Sequence, residues 1–227
     1  MMLVKFVGLL DADFCGPSVA AILSIDHKTV QELPQGWAPV HPDHNNNLAV
    51  MSLALMLETN MDPVIWRGPK KTFMISQLLS KVLWGDIEYL VIDTPPGTSD
   101  EHMAVLNAIK DMESRGAVIV TTPQAVAIAD VRREITFCRK TGINMLGIIE
   151  NMSGYLCPHC TECINIFSSG AGTQLAEYAK IPFLGKLLFD ERLTQCMDRG
   201  ENYAEKFPDS ELCQSFNEIV DKLISAL

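Results

Sequence analysis

Tyr89-Leu90-Val91-Ile92-Asp93-Thr94-Pro95-Pro96-Gly97-Thr98 sets an apolar run against a carboxylate and a Pro-Pro-Gly turn. A short run without polar alternation predicts a strand covered on both faces, the habit of parallel sheets. Asp93 then stands at the tip of that strand, where a carboxylate can hold Mg²⁺ directly or through water. Gly97 has no side chain to keep its backbone N–H from a γ-phosphate. The plain alternative is a strand that merely ends at an Asp turn.

The same pattern recurs along the chain. Apolar runs at Phe6 to Leu10, Leu48 to Leu53, Ala117 to Val120 and Met145 to Ile149 end in polar or glycine residues. Helix-like segments lie between them at Lys71 to Val82, His102 to Met112 and Val126 to Thr141, the last stopped by Gly142. This alternation predicts an α/β fold with a doubly wound, mostly parallel sheet, in a single domain over residues 1–227. From Ser210, whose side chain suits an N-cap, Leu212, Phe216, Ile219, Val220, Leu223 and Ile224 share one face of a C-terminal packing helix. Asp26 to Asn47, rich in Pro, His, Asn and Gly, reads as a long surface loop.

The totals narrow the function. The 227 residues are 48% hydrophobic, enough for a full core. The formal charge of -10 gives no general attraction to nucleic acid or an anionic membrane, so neither is an expected partner. Seven cysteines, scattered except for one cluster, do not read as a disulfide framework, and a reducing, intracellular compartment is expected. The apolar start meets Asp11 and Asp13 at once, which reads as a buried strand rather than a leader, and no run reaches the length of a membrane helix.

Cys157-Pro158-His159-Cys160-Thr161-Glu162-Cys163 is the cluster. Thiolates at two-residue intervals favour zinc or an iron-sulfur centre over hard cations, and the loop alone does not choose between them. Either centre normally takes four protein ligands. A second strand end, Leu9-Leu10-Asp11-Ala12-Asp13-Phe14-Cys15-Gly16-Pro17-Ser18, puts two carboxylates on one side of an extended segment, where one can face a metal or a nucleophilic water. A solvated turn is the plain reading of that fragment alone.

Taken in order, Asp11-x-Asp13-x-x-Gly16-Pro17-Ser18, Trp66-Arg67-Gly68-Pro69, Asp93 to His102, Thr121-Thr-Pro-Gln124, Glu150-Asn-Met-Ser-Gly154 and Cys157-Pro-His-Cys160 resemble the Mrp-type P-loop ATPases. Within them the chain is most similar to the smaller-subunit type of the cytosolic scaffolds that assemble [4Fe-4S] clusters. The resemblance implies a MinD-like fold that dimerises with nucleotide near the interface. It implies that Asp13 places the attacking water, that Asp93 supports Mg²⁺, that Asp11 and Gly97 belong to the ATP site, and that Asn151 reads the adenine. It further implies that Cys157 and Cys160 give two thiolates to a cluster shared across a dimer, with a paralogous larger subunit or a second copy, for transfer to cytosolic and nuclear apo-proteins. Cys163 is left between an auxiliary ligand and a packed thiol.

One feature departs from that family. No Gly-Lys-Ser/Thr tripeptide occurs in the 227 residues. Gly185-Lys186 is followed by Leu187; Gly68-Pro69-Lys70-Lys71-Thr72 reads as a helix start with Pro69 in the first turn; Ser169-Gly170-Ala171-Gly172 reads as the entry to a helix. Relatives carry their phosphate loop upstream of the segment that opens this chain, so a truncated product or an incomplete gene model is expected, with the fold missing its first strand, loop and helix; a genuine nucleotide-free variant is the alternative. The strands beside the lost one should then show open edges. ATP hydrolysis, a property of the family, is left open for this chain.

A structural zinc knuckle on a nucleotide-sensing domain, built from Cys157, Cys160, Cys163 and one remote ligand, is the competing reading. A MinD-like positioning ATPase ranks third, because a basic membrane-binding tail is missing. Among the other residues, Cys15, Cys138, Cys196 and Cys213 read as buried packing thiols, His102 as a helix-surface residue, and Arg132-Arg133 with Arg139-Lys140 as a solvated helix face.

Overall fold

The computed structural model describes residues 6–42, 46–57, 68–112, 114–156, 163–164, 167 and 170–227. It divides into two compact units, Met1–Lys110 with Met197–Glu201, and Asp111–Cys196 with Asn202–Leu227.

The first unit contains β1 (Val7–Asp11), α1 (Val19–Ile22), β2 (Gln31–Leu33), β3 (Gly36–Ala38), β4 (Leu48–Ser52), a 3-10 turn over Leu53–Met56, α2 (Gly68–Lys81), β5 (Tyr89–Asp93) and α3 (Asp100–Ile109). Its sheet is parallel with order β4-β1-β5. Hydrophobic burial around the central strand explains that order. Leu10 and Val50 are fully buried, and Val19, Ala20, Ile25, Val40, Val50 and Leu55 form one core cluster with Leu9 and Leu48 packed on it. α2 opens at Gly68 with Pro69 next, where a missing N–H costs no helical bond, as the sequence predicts.

The second unit contains β6 (Ala117–Thr121), α4 (Ala125–Thr141), β7 (Met145–Glu150), β8 (Tyr155–Leu156), β9 (Cys163–Ile164), α5 (Ala171–Ala179), β10 (Phe183–Lys186), α6 (Glu191–Arg199), α7 (Tyr203–Lys206) and α8 (Glu211–Ala226). Order β10-β7-β6, again all parallel, makes β7 the central strand. Because strand side chains alternate, β7 feeds two cores. Ile148 joins Val131, Ile135 and Cys138 of α4 and Leu175, Ala176 and Ala179 of α5. Its neighbour Ile149 joins Leu184, Cys196, Tyr203, Leu212, Cys213 and Ile219, so α8 covers the opposite face. Helices on both faces of a parallel sheet are the doubly wound arrangement expected. Gly142 ends α4 at φ 71, and its amide bonds to the Cys138 carbonyl, a left-handed stop that Gly adopts without a Cβ clash. The Ser210 hydroxyl caps α8 by accepting from the Cys213 amide.

Three expectations need correction. The Asp26 to Asn47 stretch is not loop alone: β2 and β3 pair antiparallel within it, Gln31 opposite Ala38. The Tyr89 to Ile92 run does not give a strand covered on both faces. Among the described residues β5 is outermost in its sheet, none of its five residues is buried, and Val91 is 51% exposed. Val120 of β6, outermost in the other sheet, is 52% exposed. An apolar strand whose free edge has no described neighbour leaves its side chains uncovered. On α8, Leu212, Cys213 and Ile219 are buried, whereas Phe216, Val220 and Ile224 are 40–45% exposed; the packing face is narrower than its apolar pattern because the helix lies against β10.

Ile148 is fully buried at the centre of its cluster. Truncation by Ile148→Ala is expected to cost about 2–5 kcal/mol of unfolding free energy, read from chemical denaturation; a cost below about 1 kcal/mol contradicts this packing.

Candidate functional site

In the first unit, register places three side chains in one row. Asp11 at the end of β1 pairs with Ser52 at the end of β4 and with Asp93 at the end of β5. Parallel strands in register bring their C-terminal ends together, the edge where open α/β sheets bind ligands.

Asp11 is 1% exposed, so its oxygens need partners. The Ser52 hydroxyl donates to Oδ2 at 3.0 Å, the Asp13 amide to Oδ1 at 3.1 Å and the Val19 amide to Oδ2 at 3.4 Å. Burial pushes the Asp11 carboxyl above its ordinary value, those donors oppose the rise, and the Asp93 charge adds to it. Asp13 turns outward, and its Oδ1 accepts from the Cys15 amide at 3.0 Å and the Gly16 amide at 3.1 Å, an Asx turn that shapes the loop. Asp93 is joined to that loop through its carbonyl, which accepts from the Ala12 amide at 2.8 Å. Asp93 is exposed at the strand end, and partial desolvation first, then the charge of Asp13, push its carboxyl up. Asp11, Asp13 and Asp93, read separately from two sequence motifs, are thus brought together. Gly97, at φ +83, lies in the loop that follows.

The described residues hold no cage of three or more His, Cys, Asp or Glu side chains arranged around a metal. One or two carboxylates suit Mg²⁺, which keeps most of its water and takes further oxygens from phosphates.

A basic group closes this region from α2. Lys71 Nζ lies 2.6 Å from Glu101 Oε1 on α3 and 3.0 Å from Cys15 Sγ. The contacts with Cys15 and then Glu101 raise the Lys71 value, and although burial works against the Glu101 charge, Lys71 brings Glu101 below the usual range. Cys15 is exposed, which corrects its reading as a packed thiol; Cys138, Cys196 and Cys213 are buried as expected. His102 is also corrected. It is half-buried, and its Nδ1 accepts from the Ser99 amide at 3.2 Å, because this is the position in the first turn of α3 from which a side chain reaches back to the cap.

In the second unit, Asn151 follows the end of β7. Its amide bonds to the Thr121 carbonyl at 2.7 Å, and its Oδ1 accepts from the Met152 amide at 2.9 Å. Glu150 is 1% exposed and accepts from the Ser153 hydroxyl at 2.6 Å and from the Gly172 amide at 2.5 Å in the first turn of α5. The two sides of the cysteine-bearing segment are therefore tied to one carboxylate. β8 and β9 pair antiparallel, Tyr155 with Ile164 and Leu156 with Cys163. Cys157 and Cys160 lie outside the described residues, and Cys163 is described through its backbone alone. On α4, Arg133 makes an exposed pair with Asp130, while Arg139 donates to the Ala179 carbonyl.

Sequence reasoning assigned no role to Ser52, Lys71, Glu101 or Glu150. Ser52 carried one signal, a hydroxyl at the end of an apolar run. Lys71 and Glu101 are thirty positions apart and carried none.

Comparison with known proteins places the chain in a family. Residues 3–224 match the ParA family model described as NUBPL iron-transfer P-loop NTPase. The chain is 52% identical over 220 residues to the cytosolic Fe-S cluster assembly factor NUBP2 homolog of Trichoplax adhaerens, covering 97% of this chain and 83% of that protein. It is 52% identical over 221 residues to the Nubp2 homolog of Drosophila melanogaster, covering 97% and 85%. Among solved structures, the nucleotide-binding protein of Archaeoglobus fulgidus in complex with ADP is similar at TM-score 0.71 and 36% identity, over 86% of this chain and 74% of that one. MinD of Aquifex aeolicus, at TM-score 0.64 and 17% identity over 97% and 84%, shares the fold. With a family model matching residues 3–224 and a relative 52% identical over 220 residues, the chain belongs to the ParA-type, NUBPL iron-transfer P-loop NTPase family.

Proposed function

We propose that this chain is a cytosolic iron-sulfur cluster assembly factor, a scaffold on which [4Fe-4S] clusters are built and from which they pass to cytosolic and nuclear apo-proteins. The cluster is cargo. Cys157 and Cys160 would hold it, with two further thiolates from a paralogous larger subunit or a second copy, and Cys163 as an auxiliary ligand. The observation that carries this reading is the place of Cys157 and Cys160 in the sequence, between β8, which follows β7 and Asn151, and β9, which precedes α5. A cargo site held by two sulfurs per chain stays open to exchange, whereas a site closed by one chain does not.

The nucleotide half of the reading is supported by the carboxylates gathered at the strand ends. Asp93 would support a hydrated Mg²⁺, Asp13 would orient a water, Gly97 would offer its amide to a phosphate and Asn151 would read the base. The three carboxylates crowd one another, and a divalent cation would relieve that repulsion. The 227 residues supply no Gly-Lys-Ser/Thr loop to cradle the phosphates, so no hydrolytic step is assigned to them.

Anaerobic reconstitution with ferrous iron and sulfide is expected to give a broad visible absorption band. Cys157→Ala or Cys160→Ala should abolish the band, and Cys163→Ser should largely keep it. A colourless protein that holds zinc stoichiometrically, and loses it in Cys163→Ser, would make the site a structural knuckle instead.

Asp93 supplies a test by pH. Its native value is raised above 3.8, so its contribution to stability is present below pH 3.8 and is lost as pH rises through the native value. Asp93→Asn is therefore expected to melt at a higher temperature than the parent at pH 7 without metal, with the difference closing toward pH 3.8. A lower melting temperature for the variant at neutral pH contradicts the crowding.

A further inference from the structure

The side chain that reaches back to a Ser N-cap from three positions on is usually Glu or Gln. In α3 it is His102, and an imidazole there does something a carboxylate does not. The Ser99 amide donates to Nδ1 at 3.2 Å, so Nδ1 carries a lone pair and the ring proton sits on Nε2. A second hydrogen bond joins the ring to the Pro95 backbone. Proline has no N–H, so Pro95 offers its carbonyl and Nε2–H is the donor. One ring thus grips both ends of the 95–99 loop, with Gly97 between them at φ +83.

We propose that His102 is the positioning residue of the loop behind Asp93: neutral, it clasps Pro95 to Ser99 and fixes the Gly97 amide, and protonated at Nδ1 it releases the Ser99 end. This rests on the reading of residues 93–98 as the metal- and phosphate-facing segment.

Protonation converts Nδ1 from acceptor to donor and sets it against the Ser99 N–H, so the charged ring and the closed loop exclude each other. The Ser99 hydroxyl, 3.1 Å from Nδ1, can accept from the charged ring and gives the released state a resting contact. Burial lowers the His102 value from 6.5, and the positive end of α3 acts in the same direction. The charged group that acts on the ring is Glu101 on its own helix, paired with Lys71 on α2. Glu101 raises the value, but Lys71 lies 2.6 Å from it and offsets its charge. That ion pair also keeps α3 tied to α2 when the clasp opens, which confines the release to the loop. The clasp is closed above the ordinary histidine range and opens as pH falls through the lowered value.

A glutamine at position 102 separates this from simple packing, because its amide accepts and donates like neutral imidazole but does not titrate. In the full chain, protection factors for the Ser99 and Gly97 amides are measured by hydrogen exchange from pH 7.5 to 5, alongside the His102 ring nitrogen shifts by NMR. In the parent, Ser99 protection should fall about fivefold to tenfold, the size of one lost hydrogen bond, in step with His102 protonation. His102→Gln should hold its protection across that range, and His102→Ala should lack it throughout. A proton on Nδ1 at neutral pH, or a Ser99 profile that is flat in the parent or equally steep in His102→Gln, overturns the proposal. Fluorescent ADP with Mg²⁺ is titrated in parallel. If it binds at no pH while Ser99 follows His102, the clasp stands and the nucleotide reading of the segment falls.

Discussion

The structure of the carboxylate edge depends on Asp11, a charged group taken out of water at the tip of a central strand. Its partners are the Ser52 hydroxyl from β4 and the amides of Asp13 and Val19 from the turn that follows β1. A buried carboxylate is tolerated only when its oxygens are satisfied, so each donor is held where the acceptor requires it. The consequence is a fixed exit from β1: the chain turns at Asp13, and α1 begins with its first amide aimed at Asp11. Asp93 then comes alongside by register, and its carbonyl locks the turn through the Ala12 amide.

The second unit uses the same device with another residue. Glu150, buried at the end of β7, accepts from Ser153 before the cysteine-bearing segment and from Gly172 after it. In both units a buried acid at a strand end organises the chain beyond it, while the neighbours Asp13 and Asn151 are more exposed. Fold and site are linked by the cost of an unsatisfied buried charge rather than by loop sequence alone.

Much of this was legible beforehand, because the carriers are local patterns. The runs at Tyr89, Ala117 and Met145 gave β5, β6 and β7 almost to the residue, Gly142 ended α4, and Ser210 capped α8. Asp11 and Asp93 could be named because each follows an apolar run directly, Asp13 because it stands two residues beyond Asp11, and Asn151 only through the family resemblance. What stayed hidden depends on distance. Lys71 meets Cys15 and Glu101 only after α2 and α3 pack, and Ser52 meets Asp11 only through strand register. β10 was missed because Gly185 interrupts a four-residue strand, and the β2–β3 hairpin because each of its strands is only three residues long. Exposure of Val91 was also unreadable, since a continuous apolar run carries no mark of whether a neighbouring strand covers it.

The central claim is that this chain contributes a pair of thiolates, Cys157 and Cys160, to a cluster completed by another chain. Native mass spectrometry of the anaerobically reconstituted protein tests it most directly. The account predicts that iron and sulfide travel with a dimeric species, one four-iron cluster for two chains, and are lost when the dimer is dissociated. A monomer that retains a full complement of iron and sulfide contradicts it.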